Sequence, residues 1–200
     1  MTAITVTPNP FTLVPYDAAE IAALVEEAAS QAGISSGIDI ALTVDEELFA
    51  PLTGHMSDVI DGRIVLWISG GNFEDNKRPC HFSADQARVD LAIMMLRAKD
   101  RLSDDFAAAP LDHELSRGER VAWDTYAAGR AQRLGLDIRR PRQLYDFRLQ
   151  HGFTDVADAA FQRCWDAERI TWEGIREIAK ETGSADRDPS KVPVDLLRQK

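Results

Sequence analysis

"VDLAIMMLRAKDRL" (residues 89–102) carries six consecutive apolar residues, Leu91 to Leu96. Just upstream, "FSADQ" places Ser83 where a helix N-cap belongs, with Gln86 three residues on, the spacing of a capping box. The run is therefore expected to be helical. Asp85 and Arg88 precede the apolar centre, and Arg97, Lys99, Asp100 and Arg101 follow it, so charge returns only at the ends. A helix apolar around its whole circumference for a turn and a half is expected to lie inside the fold, with other elements covering it.

Upstream residues supply that cover. "SDVIDGRIVLWISGG" holds Asp61-Gly62 between two apolar runs, a two-residue hairpin signal that predicts two short antiparallel strands. "IDIALTV" alternates β-branched and small residues and predicts a strand over 38–44. "YDAAEIAALVEEAASQAG" predicts a helix with Asp17 as N-cap, Glu20 completing a capping box and Gly33 as left-handed terminator. Its stripe of Ile21, Leu24, Val25, Ala28 and Ala32 suits a helix lying on a sheet. "GGNFEDNKRPCHF" reads as a polar loop.

From Ser116 onward the pattern is helical throughout. "SRGERVAWDTYAAGRAQRLG" has Ser116 and Glu119 as a third capping box, a stripe of Trp123, Ala127, Ala131 and Leu134, and Gly135 as terminator. "RRPRQLYDFRLQHG" predicts a short helix before Gly152. Thr154 starts another, with Ala157, Ala160, Phe161 and Cys164 on one face, and Thr171 and Gly183 bound the last. The expected fold class is α+β. A short mixed sheet with a hairpin, covered by two helices, fills residues 1–110. A helical extension over 111–183 packs on it, and 184–200 form an extended tail.

The 200 residues are 44% apolar, enough for a real core. Cys80 and Cys164 lack CxxC spacing, which favours free thiols in a reducing compartment. The N-terminus has no basic and apolar leader, and no segment approaches a membrane span, so a cytoplasmic protein without membrane contact is expected. Net charge is −10 but uneven. Residues 1–115 carry seven Lys and Arg against nineteen Asp and Glu, whereas 116–148 carry eight against four. Such asymmetry predicts either attraction between two faces of one protein or a surface reserved for an anionic partner, and the overall acidity favours the first.

The order helix, strand, hairpin, loop, buried helix over residues 17–102 resembles the small bacterial zincin-like metallopeptidases. In that family an edge strand such as "GRIVLWIS" and a loop lead into a helix bearing His-Glu-x-x-His. The resemblance implies a zincin-like frame for under half of the chain. It does not carry the activity over. Zinc hydrolysis needs imidazoles at i and i+4 with a carboxylate at i+1, and the matching positions here fall near Met94, Met95 and Ala98. The frame is then that of a pseudoenzyme, with no zinc and no other cofactor expected.

Other candidates weigh less. His55, His81, His113 and His151 are scattered, although a hydrolytic or metal site assembled in space with Asp112, Glu114, Asp155 or Asp158 would escape a linear reading. Cys80 beside His81 offers a thiol without a third orienting group. "ISGGN" lacks the spacing of a phosphate loop, and Glu74 and Asp75 would repel phosphate. Arg139, Arg140, Arg142, Tyr145, Phe147 and Arg148 bring guanidinium groups and rings together, the chemistry of anion binding and base stacking. Arg139, Arg140, Arg142, Tyr145 and Arg148 are the candidate anion- or partner-binding residues, with solvated helix faces and salt bridges to the acidic first half as the plainer expectation. "HGFTDVADAAFQR" resembles the Gly-Phe-Ser-Asp turn of some helix-turn-helix regulators, but Phe161 falls two residues late. The expected function is a non-catalytic cytoplasmic interaction or scaffold protein, with a protein partner or homo-oligomer favoured over nucleic acid. A nucleic-acid-binding module built on 139–148 and an unrecognised hydrolase are the alternatives.

Overall fold

The computed structural model describes residues 2–75 and 78–183, except the side chains of Pro79 and Cys80. The expected tail, 184–200, lies outside the described residues. The chain divides into two compact units: one runs to Ala107 and takes in Arg130–Ile138, and the other comprises Ala108–Gly129 and the chain from Arg139 onward.

The first unit is α+β. Its strands β1 (Ile4–Thr7), β2 (Ile40–Asp45), β3 (His55–Ile60) and β4 (Arg63–Ser69) form one mixed sheet in the order β1-β2-β4-β3. β1, β2 and β4 are parallel, and β3 runs antiparallel to β4. The β3–β4 turn is the Asp61-Gly62 pair, with both residues at positive φ (51° and 75°), the backbone that a two-residue hairpin demands. The strand β1 went unpredicted, because "ITVT" is too short to stand out beside a proline-rich stretch.

Two helices cover the sheet. α1 (Ala18–Ala32) starts where Asp17 accepts the Ala19 N–H at 2.8 Å and stops at Gly33, φ 67°. All five residues of its predicted stripe are buried. α2 (Ala84–Arg101) starts at Ser83, whose Oγ accepts the Gln86 N–H at 3.3 Å. α1 packs on β1 and on α2, and α2 packs on β3. Ile40, Leu42 and Val44 of β2 stand in register with Ile64, Leu66 and Ile68 of β4, all buried, so period-2 alternation supplies the sheet's half of the core. Leu91 to Leu96 of α2 are all buried, as expected.

The stretch read as a polar loop is instead partly ordered. Gly70–Phe73 form a 3-10 turn, followed by a small antiparallel pair, β5 (Glu74–Asp75) with β6 (Arg78–Phe82). Its polar letters hide an aromatic anchor. Phe73 is fully buried and meets Phe82 and Tyr16 edge-on or tilted, at 5.9 and 6.4 Å between ring centres. The glycines before it serve backbone packing, since a Cβ on Gly71 would come within 2.5 Å of the Ala50 nitrogen.

The second unit is helical. α3 (Arg117–Arg133), whose last turn belongs to the first unit, begins with a reciprocal capping box. Glu119 accepts from the Ser116 N–H at 2.9 Å, and Ser116 Oγ accepts from the Glu119 N–H at 3.2 Å. α4 (Arg140–His151), α5 (Asp155–Asp166) and α6 (Trp172–Glu181) follow, with Thr154 and Thr171 capping the last two. Leu134, expected on the buried stripe of α3, is exposed because the helix ends one residue before it. Trp123 fills the interior and lies 5.7 Å from the Trp172 ring. Gly129 lets α3 approach α5 closely: a Cβ there would overlap the Trp165 carbonyl oxygen.

Candidate interaction surface

The Arg-rich segment forms α4 and its N-cap, Arg139, with Pro141 in the first turn where a missing N–H costs nothing. Phe147 and His151, one turn apart, are buried on the inner face of the helix. The residues at i, i+3, i+4 and i+7 from Arg142, namely Tyr145, Asp146 and Leu149, lie on a different stripe, and it is exposed. α4 thus has a core face and a second, mixed polar and apolar face.

The candidate residues separate accordingly. Arg148 is bound on α5, where its Nε donates to Asp158 Oδ1 at 2.7 Å and a second guanidinium nitrogen reaches the other carboxylate oxygen. That fork lowers the Asp158 carboxyl below its ordinary value and raises the Arg148 guanidinium above its own. Arg140 donates to Gln162 and lies 5.6 Å over the Phe161 ring. Arg142 stands 3.9 Å from Asp146, both well exposed, and Arg139 is exposed. Gln162, Asp146 and Asp158, the partners of Arg140, Arg142 and Arg148, lie in α4 and α5. Phe147, expected to offer its ring for stacking, is unavailable. It is fully buried, stacks on His151 at 3.9 Å and meets Phe161 edge-on at 5.7 Å.

Besides the candidate Tyr145, three apolar side chains that the sequence reading did not single out are exposed here. Tyr145 is 54% exposed, Leu149 50%, Phe153 63% and Val156 53%. Tyr145 and Phe153 touch edge-on, 5.9 Å between centres, across the α4–α5 turn. Leu149 and Phe153 could have been flagged from "DFRLQHGF": two residues apart on a helix, Phe147 and Leu149 point about 200° apart, so both cannot reach one core. The same segment exposes residues of both signs, Arg139 and Arg142 with Asp146 and Asp155.

The chemical candidates remain dispersed. His55 is on β3 and His81 on β6, His113 is exposed, and His151 is buried. Among the described residues no group of three or more His, Cys, Asp or Glu side chains is placed to hold a metal. Met94, Met95 and Ala98 are fully buried apolar side chains. Cys164 is a free buried thiol, pushed by desolvation up to about 12, whereas the Cys80 side chain lies outside what the structure describes. Sequence reading missed a second kind of site, a set of buried charges at the end of α2. Arg101 donates to the Ser57 carbonyl at 2.7 Å and pairs with Asp58 at 3.2 Å, Asp100 receives both terminal nitrogens of Arg130 at 2.7 and 2.6 Å, and Arg97 is fully buried. The Arg101 and Asp100 pairs each join elements distant in sequence. Arg101 also occupies a carbonyl of the edge strand β3, which blunts that edge against pairing.

Among the described residues no helix is long and apolar enough to cross a membrane. Compared with known proteins, the chain matches no family model, no curated protein and no solved structure.

Proposed function

We propose that this is a non-catalytic, cytoplasmic interaction protein that pairs with a second copy of itself through the α4–α5 corner, its first unit serving as a degenerate zincin-like frame. One observation carries the reading: Tyr145, Leu149, Phe153 and Val156 are exposed apolar side chains of the α4–α5 corner, Tyr145 and Phe153 touching, and the same segment exposes two cations and two carboxylates, Arg139, Arg142, Asp146 and Asp155. An isologous contact sets a patch against its own inverted image, so a rim with two cations and two carboxylates complements itself. The same balance offers little to phosphate, and two of the four arginines are already engaged on α5. A patch of four side chains is small, so the association belongs to the weak, concentration-dependent class.

Sedimentation velocity over a concentration series tests the proposal. The parent is expected to shift from monomer to dimer as concentration rises, and Leu149→Asp and Phe153→Asp to remain monomeric with unchanged melting, because both side chains are exposed in the single chain. A parent that stays monomeric throughout, or variants that dimerise like the parent, overturns it.

A further inference from the structure

The turn after β2 holds apolar side chains in solvent on a backbone that is tightly fixed. Phe49 is 58% exposed and Leu52 60%, on either side of Ala50-Pro51. The Leu52 N–H donates to the Phe49 carbonyl at 3.0 Å, so both belong to one turn. Neighbouring elements pin it. The Leu48 carbonyl accepts the Gly71 N–H at 2.8 Å, the Ala50 N–H donates to Glu74 Oε1 at 3.2 Å, and the Gly54 N–H is shared between Ser69 Oγ at 3.1 Å and Asn72 Oδ1 at 2.9 Å. At the start of the turn the Glu46 carboxylate accepts the Thr12 N–H, the Thr12 hydroxyl and the Leu13 N–H, each at 2.8 Å. That carboxylate ties in a second loop, whose Leu13 is 63% exposed.

We infer that this turn is a docking site for a cationic peptide segment that also carries apolar side chains, built from other residues than the α4–α5 corner. The sign of the partner follows from the charge of the loops. Residues 1–62 carry ten Asp and Glu and no Lys or Arg. Glu46 is spent on its own donors, the Leu13 N–H first among them, which hold its carboxyl below the ordinary value. Asp45 accepts the Glu47 N–H at 3.1 Å. Glu47 is exposed two residues before Phe49, and Asp17 is exposed four residues after Leu13. Two cations follow farther along the chain. Arg63 begins β4, whereas the turn is bound at the Ser69 end of that strand, and Arg78 stands in register with Asp75.

The same carboxylates repel an anionic lipid surface or a phosphate backbone, and a second copy would set acid against acid. A basic segment meets both features at once. Its Lys or Arg side chains approach Glu47 and Asp17, which raises the encounter rate, while its apolar side chains cover Phe49 and Leu52, which holds the complex. Because the hydrogen bonds already order the turn, docking loses little conformational entropy on this side of the contact.

The test is an NMR titration of the isotope-labelled full chain with a synthetic peptide of alternating arginine and leucine, with a glutamate–leucine peptide and phosphatidylcholine vesicles as separate arms. Saturable shifts are expected at the amides of residues 12–14 and 46–54 with the arginine–leucine peptide alone, weakening as salt rises. The double variant Phe49→Ser with Leu52→Ser should bind that peptide roughly tenfold more weakly. Glu47→Lys should also bind it more weakly, and Leu149→Asp like the parent. No saturation up to about 1 mM peptide, shifts confined to other residues, stronger binding in either of the other arms, or a double variant that binds like the parent overturns the inference. If the double variant fails to fold, Glu47→Lys decides: binding equal to the parent's overturns it.

Discussion

Asp100 and Arg130 illustrate what a residue's type conceals. Both are charged, yet both are largely buried and joined by two short parallel hydrogen bonds. The pair has left water, so its net value is small while the cost of splitting it is large. Arg130→Met is expected to destabilise the first unit by about 3–5 kcal/mol, and the double variant Arg130→Met with Asp100→Leu by clearly less. Urea melts of the four proteins measure both. Cys164 is the complementary case, an ionisable group kept neutral: with desolvation holding its thiol up to about 12, almost no thiolate exists at neutral pH. In a Cys80→Ser background, Cys164 should resist iodoacetamide until the protein is unfolded, read by mass spectrometry. Rapid labelling of the native protein would contradict that burial.

These residues also show why part of the architecture was not legible in the sequence. Arg97, Asp100 and Arg101 were read as the charged end of a helix because hydropathy assigns a side chain by type. The partners that permit burial, Asp58 and Arg130, lie forty-odd residues before and thirty after, beyond any local window. Local signals fared better. Asp17, Ser83, Ser116, Thr154 and Thr171 all cap helices, and Gly33 ends one, since a cap is written within four residues of its helix.

At the scale of elements, the α3–α5 crossing depends on one missing side chain. A methyl at Gly129 would overlap the Trp165 carbonyl oxygen, and backbone cannot swing aside as a side chain can. Gly129→Ala, ordinarily helpful in a helix, is expected to lower stability by about 1–3 kcal/mol or more, seen as a reduced melting temperature. Unchanged or higher melting would mean the helices are not so close. The α4–α5 contact has a pH signature of its own. Arg148 holds the Asp158 carboxyl below its ordinary value of 3.8, so the pair's stabilisation is present above that pH and disappears as pH falls through the lower folded value. Asp158→Asn should melt below the parent near neutrality, and the gap should close in strong acid. Both groups are partly exposed, so the difference is small.

Seen as a whole, the molecule pairs an acidic α+β unit with a helical unit that carries the Arg and aromatic segment. The segment was found from sequence, but its division into inner and outer faces was not: Phe147 belongs to the core, and Leu149, Phe153 and Val156 to the surface. Only the packing of α4 on α5 settles which stripe faces inward, because each has helical spacing. The self-association proposed for that surface makes a demand that no single-chain property imitates. Reversing one sign of the rim, Arg139→Glu with Arg142→Glu, sets carboxylates against carboxylates in a like pair. Reversing the other, Asp146→Lys with Asp155→Lys, sets cations against cations. Mixed together, the two variants oppose unlike charges at both halves of the contact. Sedimentation velocity on each variant and on their equimolar mixture is the most direct test: the account predicts two monomers apart and a dimer when mixed, and a mixture that sediments as monomer, or reversed variants that each dimerise like the parent, would contradict it.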